Sequence, residues 1–205
     1  MLTIAVTGGV ACGKSSFCRR FAEMAALGKV EWFSCDDSVR TLLKEEDVKA
    51  QIVALGASCG ADLDQRGGLN RVVFRELLFE NSEFRGKVEA VMHPLVLLRM
   101  VDHAAGLSDQ VKIFLVEVPL LYEVDFPINR NLDVAVVSSE SVQMRRLQED
   151  RGLEPDLARR MLRSQIQIEE KIKRADIVVW NDGCHEAFDA QTVHLLSRCQ
   201  TLLNP

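Results

Sequence analysis

Five short apolar runs set the rhythm of the chain: LTIAV (2–6), VEWF (30–33), VKIFLVEV (111–118), LDVAVV (132–137) and DIVVW (176–180). Their near-continuous aliphatic character, without a strict polar alternation, is that of parallel strands buried on both faces. Between them the period lengthens to that of a helix. Residues 14–26 carry Phe17, Phe21 and Met24 at helical spacing, while 141–150 and 156–174 read as charged helices. Strands alternating with helices predict an α/β fold around a central five-stranded parallel sheet with right-handed crossovers.

Two stretches break the alternation. Residues 41–107 hold helical patterns such as VVFRELLFE and KVEAVMHPLVLLRMVDHAA but no clear strand, and are read as an inserted helical lobe. Residues 141–174 are rich in Arg, Lys, Glu and Gln and are read as a mobile helical lid. The core is then expected from 1–40, 108–140 and 175–205.

Composition narrows the function classes. The 205 residues are 47% hydrophobic and 27% charged, which suits one compact folded unit with small inserted lobes. A formal net charge of -5 gives no global attraction for nucleic acid or anionic membranes, so any bound polyanion must be gripped by a local basic cluster. No run approaches the length of a membrane span, and MLTIAVTGG lacks the features of a signal peptide. Six cysteines without CxxC or metal-ligand spacing suit reduced thiols. A cytoplasmic protein without nucleic-acid or membrane partners, a monomer or small homo-oligomer, is expected.

The first apolar run leads into Gly8-Gly9-Val10-Ala11-Cys12-Gly13-Lys14-Ser15-Ser16, which matches GxxxxGK[ST] between a strand and a helix. Glycines let backbone N–H groups turn inward around phosphates, the helix N-terminus adds positive potential, Lys14 reaches the β and γ oxygens, and the Ser15 hydroxyl suits Mg²⁺. Gly9, Ala11, Cys12, Gly13, Lys14, Ser15 and Ser16 are therefore the expected ATP-binding residues. Cys12, near a helix N-terminus, is read as small filler rather than an activated thiol.

The second run ends in FSCDDSVR, which puts Asp36 and Asp37 at the carboxyl edge of the sheet, where open α/β folds bind ligands. A kinase needs a carboxylate there to orient or deprotonate an attacking hydroxyl. Asp36 is expected to be that group, with Asp37 nearer the start of the helix SVRTLL as a capping residue.

With these two features and five further stretches in order, the sequence resembles the dephospho-CoA kinase family over nearly its whole length. The carrying residues are TGGVACGKSS, Ser34-Cys35-Asp36, Gly68-Leu69-Asn70-Arg71 with Phe74, Val88-Glu89-Ala90-Val91-Met92-His93-Pro94, Pro119-Leu120-Leu121-Tyr122-Glu123 and Gln143-Met144-Arg145-Arg146-Leu147. A last pattern spans Gln165, Lys171, Ala175-Asp176 and Asn181-Asp182-Gly183. The resemblance implies a three-layer P-loop kinase sandwich with a helical substrate lobe and a lid, using ATP and Mg²⁺ to phosphorylate the ribose 3′-hydroxyl of dephospho-CoA. It implies Asp36 as general base, Arg146 as the lid arginine, Arg71 and His93 as acceptor contacts, Leu120 and Leu121 as an apolar wall, and Asn181 with Gly183 near the adenine. Arg151, Arg160, Arg163, Lys171 and Lys173 share the lid. Glu117, ending the third run, is either a water- or metal-positioning acid or a buried acid paired to a neighbour.

Three positions depart from the family pattern. Ser34 replaces its first Asp, Ala11 replaces a loop glycine, and Asp150-Arg151 shifts the second lid arginine by one residue. Another small-molecule or nucleoside monophosphate kinase shares the loop, lobe and lid. A GTPase switch is disfavoured: Asp64-Gln65-Arg66-Gly67 spells DxxG, but no strand run precedes it and there is no NKxD.

Overall fold

A computed structural model describes residues 1–25, 29–65 and 68–203. They divide into two compact units, Met1–Ser34 with Ala104–Pro205, and Cys35–His103.

All five apolar runs are strands of the first unit: β1 (Leu2–Gly8), β2 (Val30–Ser34), β5 (Ile113–Glu117), β6 (Leu132–Val137) and β7 (Ile177–Trp180). They form one parallel sheet in the order β2-β5-β1-β6-β7. Two residues each make β3 (Asp64–Gln65) and β4 (Gly68–Leu69), an antiparallel pair in the second unit that the sequence reading missed. Such a short bridge carries no periodicity to detect. Arg66 and Gly67 of the DxxG stretch lie outside the described residues.

Placing β5 between β1 and β2 decides what meets the loop that leaves β1. In register, Val6 of β1 and Ser34 of β2 both flank Glu117, the last residue of β5. On the other side Gly8 pairs with Val136 of β6. The neighbours of β1 thus belong to opposite halves of the sheet, and the crevice beyond their carboxyl ends is where such sheets bind ligands.

Helix α1 (Lys14–Met24) buries Phe17 and Phe21, one turn apart, against the sheet. Phe17 also meets Phe188 of α9 (His185–Leu203) edge-on at 6.3 Å. Each buried ring stabilises the unit by roughly 2 to 3 kcal/mol, so α1, and the loop at its head, is anchored on a dry core. Residue 26, where the apolar spacing suggested the helix would end, lies outside the described residues.

The second unit holds α2 (Cys35–Leu42), α3 (Glu46–Ser58), α4 (Arg71–Glu80) and most of α5 (Ser82–Ala105). α5 runs through Pro94, so His93 is a mid-helix residue rather than a boundary one. The charged segment forms α6 (Glu140–Glu149), α7 (Pro155–Arg163) and α8 (Ile168–Arg174). The continuous helix expected over 156–174 is broken at 164–167, where Gln165 is committed to a contact with the β1 loop.

Candidate active site

The β1–α1 loop closes around its own lysine. Lys14, 8% exposed, donates from Nζ to the Gly9 carbonyl at 2.9 Å and the Gly8 carbonyl at 3.3 Å. The loop's own backbone thereby holds the ammonium in place. Gly13, the residue before α1, has φ 90, and a Cβ there would overlap Asn181 Nδ2. Only glycine meets both demands. Ala11 also sits in the left-handed region, with φ 57. The family's glycine there is thus explained by backbone angle, and this chain carries the strain of an L-residue, of the order of 1 kcal/mol.

Side chains from distant parts of the first unit hold the loop. Gln143 donates from Nε2 to the Val10 carbonyl at 2.7 Å, and the Val10 N–H donates to Gln165 Oε1 at 2.9 Å. Arg146 donates from Nη1 to the Ala11 carbonyl at 3.0 Å and to Ser138 Oγ at 3.1 Å, and from Nη2 to the Asn181 carbonyl at 2.7 Å. Asn181 Nδ2 donates to the Cys12 carbonyl at 2.9 Å. Arg146 and Asn181 therefore act together, tying the loop to the turn after β7. The sequence singled out Gln143 and Gln165 only as members of a pattern; the burial of Gln143 is seen only in the fold.

Ser15, the residue expected to hold a metal, is exposed at the head of α1, and its hydroxyl donates to Glu117 Oε1 at 2.7 Å. Glu117 is 1% exposed, which is the buried acid paired to a neighbour among the two readings of this strand-end residue. Ser16 follows on the exposed face of α1, and Gly183 is exposed in the turn after β7. Cys12 is fully buried, and burial pushes its thiol up despite the opposing charge of Lys14, as befits small filler.

Beyond β5, Leu121 is 1% exposed and belongs to the core, leaving Leu120 as the partly exposed member of the expected wall. Lys171 is fully buried. It donates to the Pro119 carbonyl and pairs with Glu123 Oε1, both at 2.8 Å, and burial pulls its ammonium down against the pull of Glu123. It is a tie between α8 and the segment after β5, not a free lid cation. Arg151 and Arg163 are exposed, and Lys173 pairs with Glu170 at 3.7 Å.

In the second unit, α2 begins at Cys35, so Asp36 and Asp37 both lie in its first turn; the start expected at SVRTLL comes three residues too late. Asp37 pairs with Arg40 on the same helix. Arg71 opens α4, whose N-cap Asn70 accepts from the Val73 N–H at 3.3 Å. His93 is half-buried on α5.

A lysine held inside a GxxxxGKS loop, at the head of a parallel sheet ordered β2-β5-β1-β6-β7, defines a P-loop phosphotransferase. The family model for dephospho-CoA kinase matches residues 2–186, and the chain belongs to that family. It is 32% identical to the dephospho-CoA kinase of Geobacillus kaustophilus over 203 residues, covering 98% of each chain. Among solved structures, a Thermus thermophilus protein has a TM-score of 0.79 at 22% identity, covering 96% of this chain and 97% of its own. The dephospho-CoA kinase from Campylobacter jejuni has a TM-score of 0.59 at 23% identity, with 96% of each chain covered; these two likenesses concern the fold.

Proposed function

We propose that this chain transfers the γ-phosphoryl group of ATP to the ribose 3′-hydroxyl of dephospho-CoA, yielding CoA and ADP. The observation that carries the reading is Lys14 held by the Gly8 and Gly9 carbonyls within the loop, a cation preset for a nucleoside triphosphate in a chain of this family. Backbone N–H groups of the loop and the head of α1 receive the phosphates. Arg146 and Asn181 keep that loop in shape, and Asn181 with Gly183 supplies the turn where the adenine rests. Arg146 thus serves chiefly by positioning the loop.

Asp36 is the general base. It takes the proton of the 3′-hydroxyl as the oxygen bonds to the γ-phosphorus, the bond from that phosphorus to the bridging oxygen breaks, and ADP leaves with the electron pair. Arg71, His93 and Leu120 contact the acceptor, while Leu121 supports the wall from the core. Ser34 leaves Asp36 without the second carboxylate of the family pattern.

The donor set fits Mg²⁺: a hydroxyl on α1 bonded to a buried carboxylate offers the hard oxygen atoms that the ion takes. Ser15 would hold the ion, with Glu117 orienting it through that hydroxyl. When bound, it neutralises charge on the β- and γ-phosphates. Six free cysteines agree with a reducing, cytoplasmic setting.

Competing acceptors test the reading. Offered ATP with an equimolar mixture of dephospho-CoA, adenosine monophosphate and shikimate, the protein should phosphorylate dephospho-CoA preferentially. Preference for another acceptor would redirect the assignment to a different small-molecule kinase.

A further inference from the structure

Both backbone groups of Val10, in the phosphate loop, are taken by glutamine side chains, and the two glutamines differ in what they have left. Gln143 is 5% exposed and reaches the Val10 carbonyl with Nε2, so its donor group is spent on the loop. Gln165 is half-buried, and the Val10 N–H donates to it at 2.9 Å. A backbone N–H can meet only an acceptor, so Oε1 is the atom that faces the loop. The Gln165 NH₂ group, with two N–H donors, has no partner among the described residues.

Lys14 shows which end of the loop this is. Its Nζ, held by the Gly8 and Gly9 carbonyls, marks the β,γ end of a triphosphate in a GxxxxGK loop. Gln165 is anchored on the very next residue. Its spare N–H groups therefore stand at the end of the loop that receives the terminal phosphoryl group.

The surroundings of Gln165 fix it there. It lies in the 164–167 break between α7 and α8, where the Ile166 N–H donates to Glu123 Oε1 at 3.2 Å. The same oxygen takes Lys171 Nζ at 2.8 Å, and Lys171 is completely buried. Burial is the main cause that pulls the Lys171 ammonium down, and the charge of Lys14 adds to it, so the pair sits within electrostatic reach of the phosphate loop. Opening such a pair would strand a buried charge, which holds the residue after Gln165 firmly. A donor preset by packing needs no reorganisation as charge develops on its ligand.

We propose that Gln165 donates from Nε2 to an oxygen of the γ-phosphoryl group during transfer, with Glu123 and Lys171 as the positioning pair that aims it. This rests on the proposed kinase reading and adds a neutral donor to the cations of the site. Gln165 gives up no proton. The bonds made and broken at phosphorus stay those of transfer to the 3′-hydroxyl, while the amide meets charge spread over the equatorial oxygens. A contact confined to the γ-phosphoryl group also favours ATP over the product ADP, which lacks that group.

Gln165→Glu separates donating from holding the loop, because a carboxylate still accepts the Val10 N–H but has no N–H to give. The variant should melt near the wild-type temperature, and its kcat should fall about a hundredfold, the scale of losing one transition-state donor. Gln165→Met, which introduces no charge, should lower kcat about tenfold or more. Calorimetry without acceptor supplies the second readout, with a non-hydrolysable ATP analogue and ADP as the probes. In both variants the preference for the triphosphate over the diphosphate should drop about tenfold. Lys171→Met should lose the same preference and Lys171→Arg should recover part of it; a folded Lys171→Met variant that keeps it removes the positioning role. A folded Gln165→Glu variant with wild-type kcat and nucleotide preference overturns the inference. Equal weakening of both nucleotides in the two Gln165 variants overturns it too, since Gln165 would then only brace the loop. Failure of the wild-type protein to form CoA would overturn the functional reading, while the nucleotide measurements still judge the contact with the γ-phosphoryl group.

Discussion

The Ser15 hydroxyl donates to Glu117 Oε1 at 2.7 Å, joining the first turn of α1 to the end of β5. The strand order brings the two within reach, because β5 lies directly beside β1. A hydroxyl whose proton is donated to a carboxylate keeps its oxygen lone pairs free to ligate a cation. Glu117→Gln and Ser15→Ala should each raise the Mg²⁺ concentration for half-maximal activity by about tenfold, equivalent to 1.4 kcal/mol. A metal titration at fixed ATP reads this; unchanged curves in both variants would remove the pair from metal binding.

Ala11 sits at φ 57, a conformation that favours glycine. Ala11→Gly relieves strain of about 1 to 2 kcal/mol in the folded loop, offset in part by the greater freedom of the unfolded chain. The net expectation is a gain of up to about 1 kcal/mol, read as a higher unfolding midpoint in urea. A lower midpoint would contradict it.

Arg146 bonds to Ala11, Ser138 and Asn181 at once. Arg146→Ala should cost roughly 2 to 3 kcal/mol of stability by leaving these acceptors poorly paired, and should raise KM for ATP by loosening the loop. Arg146→Lys should recover little, since an ammonium cannot reproduce the planar fork. Urea unfolding and ATP kinetics on the same samples separate the two effects. Full rescue by lysine would show that charge alone matters.

Alkaline stability should carry the signature of buried thiols. Burial pushes Cys199 up from 9.0 to about 11, and it also raises Cys12 and Cys18. A raised folded-state value means the native protein holds protons that the unfolded chain releases, so the stabilisation is complete below pH 9 and is lost as pH rises toward 11. For Cys199 that loss is about 3 kcal/mol at 1.36 kcal/mol per unit. Cys199→Ala should therefore show a shallower fall in unfolding free energy between pH 9 and 11 than the wild type. Parallel curves would contradict this.

What could be read from the chain depended on how locally each feature is encoded. The five strands were legible because parallel strands buried on both faces are apolar throughout, and the phosphate loop because its chemistry occupies nine consecutive residues. The strand order was not, since nothing in the run ending at Glu117 says that it inserts between its predecessors. Arg146 was visible as a lid arginine, but its partners Ala11 and Asn181, 135 and 35 residues away, are met only in the fold. Lys171 was likewise grouped with the lid cations, and only packing reveals its buried pair with Glu123.

The central claim is phosphoryl transfer to the 3′-hydroxyl of dephospho-CoA with Asp36 as base. The most direct measurement is chromatographic quantification of CoA and ADP formed from ATP and dephospho-CoA by the wild-type protein and by Asp36→Asn. The two products should appear in equal amounts with the wild type, and the variant should lose at least about a hundredfold in kcat while its affinity for ATP is retained. ATP turnover without CoA, or an Asp36→Asn variant as fast as the wild type, would contradict the account.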